Sequence, residues 1–133
     1  MRFSLVDRTV ERDVLPYCHK HGVTLIAYSP LGHSFQKVLK ADRAGVLVQL
    51  SRATGKTPAQ IALNWCVAKP GVVAIPKTES VIHLEENCGS SGWRLSKDQI
   101  ALLDRVIRFE CRSRLAVALR RIIRRSIQRI RKR

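Results

Sequence analysis

A chain of 133 residues, 45% of them hydrophobic, is long enough for one modest core and too apolar for a disordered segment. No run approaches the ~18 apolar residues of a membrane-spanning helix, and Met1 to Leu5 have no apolar stretch of the secretory kind. The net charge of +15 is unevenly placed: residues 1–104 carry 13 Lys+Arg against 9 Asp+Glu, and residues 105–133 carry 12 against 1, so the basic character belongs mainly to the end of the chain.

In chain order, Phe3-Ser4-Leu5-Val6 reads as a short strand. A helix follows from about Val10 to Lys20, with Val10, Val14, Leu15 and Tyr17 at helical spacing and Gly22 as its stop. Val23 to Ala27 is a continuous apolar run, the pattern of a strand buried on both faces. Tyr28-Ser29-Pro30-Leu31-Gly32 ends it. A polar loop is expected up to Asp42, which then caps a helix from Arg43 to Thr54, closed by Gly55. Thr57-Pro58-Ala59-Gln60 has Thr at the N-cap, Pro first and Gln third, and opens a helix to about Ala68. Val72 to Ile75 is a second buried strand, followed by a Pro76 to Glu79 loop. Ser80 caps a helix from Val81 to about Cys88, broken by Gly89 and Gly92. Ser96 to Gln99 is another capping box, opening a helix to about Arg108.

This alternation predicts an α/β fold with parallel strands. Two good strands and one partial one cannot close a barrel, and they leave sheet edges open, so the domain reads as incomplete and of marginal stability by itself.

In parallel α/β folds, ligands gather at the C-terminal ends of strands. Two such ends carry chemistry here, Tyr28 to Gly32 and Ile75-Pro76-Lys77-Thr78. An aromatic ring can stack on a flat ligand ring, a Ser hydroxyl and backbone N–H groups can hold phosphate oxygens, and a Lys beside a Thr suits a phosphate monoester. The helix that begins near Ser80 turns its positive end to the same region.

Five blocks in order, Asp13-Val14-Leu15-Pro16-Tyr17-Cys18, Ile26 to Gly32, Lys56 to Trp65, Ile75 to Thr78 and Leu84-Glu85-Glu86-Asn87, resemble the C-terminal part of the aldo-keto reductase family over about residues 3–108. The resemblance implies a partial (β/α)8 TIM barrel, with strands like the sixth to the eighth and the helix from Lys97 like the extra helix after the last strand. It implies NADP(H) as cofactor and an oxidoreductase that reduces aldehydes or ketones. By the same resemblance Tyr28 stacks on the nicotinamide, Ser29 and Leu31 lie around the pyrophosphate, Lys77 and Thr78 clamp the 2′-phosphate, and Glu86 and Asn87 contact the adenine. His83 stands where many members carry an Arg beside the 2′-phosphate, and neutral His is the weaker anion ligand. The family's catalytic Tyr, Asp, Lys and His lie on earlier strands, so no catalytic residue is assigned here. A full barrel needs about 250 residues, so roughly half is expected to be missing, supplied in cis or by another chain that covers the open edges.

Residues 1–109 are therefore expected as the barrel segment and 110–133 as an Arg-rich amphipathic helical tail. Its stripe of Leu115, Leu119, Ile122, Ile123, Ile127 and Ile130 suits packing on the barrel's outside or weak contact with anionic membrane. Specific nucleic-acid binding is not expected, since the charges have no interleaved aromatics. Cys18, Cys66, Cys88 and Cys111 form no C-x-x-C pair and read as thiols of a cytoplasmic protein. Cys18, His19 and His21 crowd the end of one helix and do not converge on an ion, so no metal site is expected. Two other functions stay open at this point: a non-catalytic nucleotide-binding remnant, and a basic membrane- or nucleic-acid-associated protein that works through its tail.

Overall fold

A computed structural model of the chain describes residues 1–109, and the amphipathic tail expected at 110–133 lies outside them. Among the described residues the order is a 3₁₀ turn (Thr9–Glu11), α1 (Val14–Lys20), β1 (Leu25–Tyr28), α2 (Phe35–Ala41), α3 (Val46–Thr54), α4 (Pro58–Val67), β2 (Val72–Ile75), α5 (Val81–Cys88) and α6 (Lys97–Val106). The strands pair in parallel, from Leu25 beside Val72 to Tyr28 beside Ile75. The result is an α/β piece, as expected.

The helix starts follow the local code. Thr57 Oγ1 accepts from the Gln60 amide at 3.2 Å while Gln60 Oε1 accepts from the Thr57 amide at 3.0 Å, and Ser96 with Gln99 repeats the box at the start of α6. Asp42 caps α3 from a distance: its carboxylate accepts from the amides of Val46 at 2.9 Å and Leu47 at 2.7 Å. The helix therefore begins at Val46, not at Arg43, after a turn that places Gly45 at φ +67°.

Three expectations need correction. Phe3 to Val6 is not a strand, because Ser4 and Asp7 exchange backbone hydrogen bonds at 3.1 and 3.2 Å and close a tight turn; the pairing falls earlier, where Arg2 bridges Tyr28 in parallel. The helix from Val10 splits into the 3₁₀ turn and α1. Pro16 has no N–H and its ring crowds the carbonyl four residues back, so it is accommodated in a helix's first turn, and α1 starts at Val14. The polar loop before Asp42 contains α2, whose Phe35, Val38 and Leu39 turn a narrow apolar stripe to the core.

The strands are also not buried on both faces. Leu25, Ala27 and Val72 pack inward, while Ile26, Tyr28, Val73 and Ile75 on the opposite face are each about half exposed (45–55%). The helices lie on one side of the sheet. Trp65 of α4 anchors that side, fully buried with Phe3, whose ring centroid is 5.1 Å away, and with Leu47, Ile61 and Leu103 around it. At about 25 cal/mol per Å² of apolar surface removed from water, such side chains supply most of the folding drive.

Candidate functional site

Parallel pairing in this register puts the C-terminal ends of β1 and β2 at one edge, so the turns that follow them lie side by side. Between these turns, the start of α4 and the first two turns of α5 opens a cleft of about 310 Å³. Leu31, Lys77, Thr78, His83, Glu86 and Asn87 line it, together with Gly32, His33, Ser34, Phe35 and Ala59. Six of the eight residues singled out in the sequence therefore meet around one space. The other two do not line it. Tyr28 belongs to the exposed face of the sheet, with the Arg2 guanidinium 5.9 Å from its ring centre. Ser29 follows at φ +51°, in the left-handed region that a non-glycine residue adopts only under constraint.

The basic end of the cleft is pre-wired. Lys77 Nζ meets Glu79 Oε1 at 2.9 Å, and both side chains are largely in water, so the pair is weak and easily exchanged. Thr78 Oγ1 donates to the Ser80 carbonyl at 3.3 Å and accepts from the Ser80 amide at 3.2 Å. Ser80 Oγ in turn accepts from the His83 amide, which holds the start of α5 against this loop.

The other end centres on Glu86. Its Oε1 accepts from Thr57 Oγ1 at 2.6 Å and its Oε2 lies 3.2 Å from His83 Nδ1. The Thr57 hydroxyl, and after it the His83 ring, hold the Glu86 carboxyl below the ordinary glutamate range despite some desolvation. Gln60 Nε2 donates to the Glu86 carbonyl at 3.0 Å. The capping box of α4 thus also fixes the acidic wall of the cleft, a role that its sequence reveals only as a helix start. His33, Phe35 and Ala59 were likewise not legible as lining, since none carries a motif.

Chemically, the cleft offers an ammonium and a hydroxyl for a phosphate, apolar walls from Leu31, Phe35 and Ala59 for a flat ring, and a carboxylate for a ring N–H donor. These residues fit the adenosine phosphate end of a dinucleotide. Among the described residues no three His, Cys, Asp or Glu side chains are grouped to hold a metal ion.

Comparison with known proteins gives the same direction. The model of the aldo/keto reductase family matches residues 1–108. Pyridoxal reductase of Arabidopsis thaliana, a chloroplastic protein, is 33% identical over 121 residues, which cover 74% of this chain and 33% of that protein. Methylglyoxal reductase YeaE of Escherichia coli is 30% identical over 103 residues, 77% of this chain and 36% of that one. The aldo/keto reductase of Klebsiella pneumoniae in complex with NADP and acetate superposes with a TM-score of 0.75 at 32% identity, covering 85% of this chain and 40% of that one. The chain spans about a third of the length of the curated relatives it matches.

Proposed function

The chain belongs to the aldo/keto reductase family, and on that premise we propose that it is the NADP(H)-holding segment of an oxidoreductase that reduces aldehydes or ketones to alcohols. The observation that carries this reading is the convergence of Leu31, Lys77, Thr78, His83, Glu86 and Asn87 on one cleft at the strand ends. Lys77 and Thr78 would hold the 2′-phosphate, with His83 beside it, and Glu86 and Asn87 the adenine. Ser29 and Leu31 would lie along the pyrophosphate. Tyr28, outside the cleft, would take the nicotinamide end. When bound, NADPH supplies the hydride that a carbonyl carbon receives.

We read the segment at Arg2, β1 and β2 as the sixth to eighth strands of a (β/α)8 barrel, and α6 as the extra helix after the last. The half-exposed apolar face of Ile26, Tyr28, Val73 and Ile75 supports this, since such a face is stable only under cover. The covering strands, in cis or from another chain, would bring the catalytic Tyr, Asp, Lys and His; residues 1–109 would hold the nucleotide and orient it. Without them the segment is a nucleotide-binding module.

Titration of the full chain with NADPH, followed by nucleotide fluorescence, tests the reading. Saturable binding that Lys77→Ala weakens by about tenfold or more is expected for a charge-assisted phosphate contact. Absence of binding in both proteins would remove it.

A further inference from the structure

A second cleft, of about 330 Å³, opens on the other side of the Gly32–His33 turn, and these two residues line both spaces. Its walls come from three separate parts of the chain: the Ser4–Asp7 turn, one face of α2, and Arg108 with Phe109 after α6. Arg2, Lys37, Arg108 and the His33 ring all line it, against a single carboxylate, Asp7.

That carboxylate forms a long ion pair with Arg2 and leaves the charges of Lys37 and Arg108 unbalanced. Asp7 Oδ1 already accepts from Thr9 Oγ1 at 2.8 Å, and Asp7 Oδ2 is 3.8 Å from Arg2 Nη1, too long for a hydrogen bond. Arg2 Nε is buried with no hydrogen-bond partner among the described residues. Buried donors are almost always satisfied, and this one belongs to a residue that lines the cleft. Lys37 and Arg108 make no ion pair among the described residues. Val6, Ala41 and Phe109 give the same space apolar walls. Three cationic residues lining a partly apolar pocket, one of them with a buried donor that has no partner among the described residues, suit an acceptor-rich ligand of negative charge.

We propose that this cleft binds the carboxylate or phosphate group of a small organic anion, held by Arg2, Lys37 and Arg108, at a site separate from the nucleotide cleft and joined to it through Gly32 and His33. The proposal stands independently of the nucleotide reading, because it uses none of Lys77, Thr78, Glu86 or Asn87.

The test is a titration of the ¹⁵N-labelled full chain, at constant ionic strength, with inorganic phosphate in one arm and succinate in the other, following the amides of Gly32 and His33. Lys37→Ala/Arg108→Ala is the variant; both side chains are exposed and without ion partners among the described residues, so the fold survives their loss, and a dispersed amide spectrum checks this. The variant keeps residues 110–133, so anions attracted by that basic segment affect both proteins alike. Saturable shifts at Gly32 and His33 with at least one probe, weakened about tenfold or more in the variant and unchanged by Lys77→Ala, are expected; the better probe distinguishes phosphate from carboxylate. The idea is overturned if neither probe saturates those amides, if the variant binds as tightly as the parent, or if Lys77→Ala is the substitution that abolishes binding. A failure of NADPH to bind would remove the nucleotide reading and leave this result unaffected.

Discussion

Arg8 and Asp104 lie 96 residues apart in the chain and 2.8 Å apart in the fold. The Arg8 guanidinium is 97% removed from solvent, 4.7 Å from the Trp65 ring centre, and also donates to the carbonyls of Leu5 at 3.1 Å and Leu103 at 3.3 Å. Burial lowers its proton affinity and Asp104 partly restores it. Asp104 is shared: Trp65 Nε1 donates to it at 2.9 Å and Lys69 Nζ approaches at 3.5 Å. This network ties the start of the chain to α6.

Replacing Arg8 with Met should therefore cost about 3 kcal/mol, because three backbone carbonyls and a carboxylate lose a buried donor together. Arg8→Lys should recover little, since an ammonium cannot reproduce the planar fork. Urea unfolding of the full chain reads both. A loss below about 1 kcal/mol for Arg8→Met would mean that the pair is incidental to the packing of Trp65.

A second prediction concerns Glu79. Its carboxylate is 2.9 Å from Lys77, the group proposed to hold the 2′-phosphate, so ligand and Glu79 compete for one ammonium. Both side chains are exposed, and the competition is correspondingly mild. Glu79→Gln should tighten NADPH binding by about two- to fivefold, with the gain shrinking as salt is added. Weaker binding in this variant would place the phosphate elsewhere.

The contrast between Arg8 and Ser96 shows what was legible in the sequence. Helix starts at Thr57, Ser80 and Ser96 were readable because a cap is a contract between residues three apart. The two strand-end loops that line the cleft were readable because a strand end followed by Pro-Lys-Thr or Ser-Pro-Leu-Gly is local as well. What covers a strand is not local. Val23 to Ala27 has the composition of a strand sealed on both sides, yet Ile26 and Tyr28 are half exposed, so the pattern describes a surface that wants cover more than one that has it. The link from Thr57 to Glu86 across 29 residues, and from Arg8 to Asp104, depends on tertiary packing that no window of sequence contains. α2 is not legible in the sequence because its apolar stripe is short and lies amid Ser, Gln and Lys.

The cysteines should report on folding. Burial pushes the Cys66 thiol up to about 12, and the thiolate is the reactive form, so Cys66 should resist alkylation at pH 8 until the chain unfolds. Cys18 is also buried, and Cys88 is exposed. With Cys111, outside the described residues, replaced by serine, native iodoacetamide treatment should add one label at Cys88, and treatment in urea should add three. The same shift makes stability fall as pH rises past the ordinary thiol value of 9.0, since the unfolded thiol ionises there and the buried one does not. Rapid native labelling of Cys66 would show that the Phe3–Trp65 core opens readily.

The acid side should depend on Glu86. Its folded proton affinity lies below that of an ordinary carboxyl, so the ionised form stabilises the fold. That contribution is complete above the ordinary glutamate value of about 4.3 and disappears as pH falls below it. Thr57→Val removes both the hydroxyl that donates to Glu86 at 2.6 Å and the oxygen that accepts from the Gln60 amide at 3.2 Å. At pH 7 it should cost about 1–2 kcal/mol, a cap and a charge-assisted bond together. As acid protonates Glu86, only the cap remains, and the difference should shrink to about 1 kcal/mol or less. Glu86→Gln keeps an oxygen that can accept from Thr57 but has no charge to lose, so its melting temperature should fall less steeply with acid than that of the parent. Thermal melts of the three proteins from pH 7 to pH 3 separate these cases. Parallel curves would mean that the Thr57–Glu86 bond does not form in solution, and that the acidic wall of the cleft is held by the Gln60 contact to the α5 backbone instead.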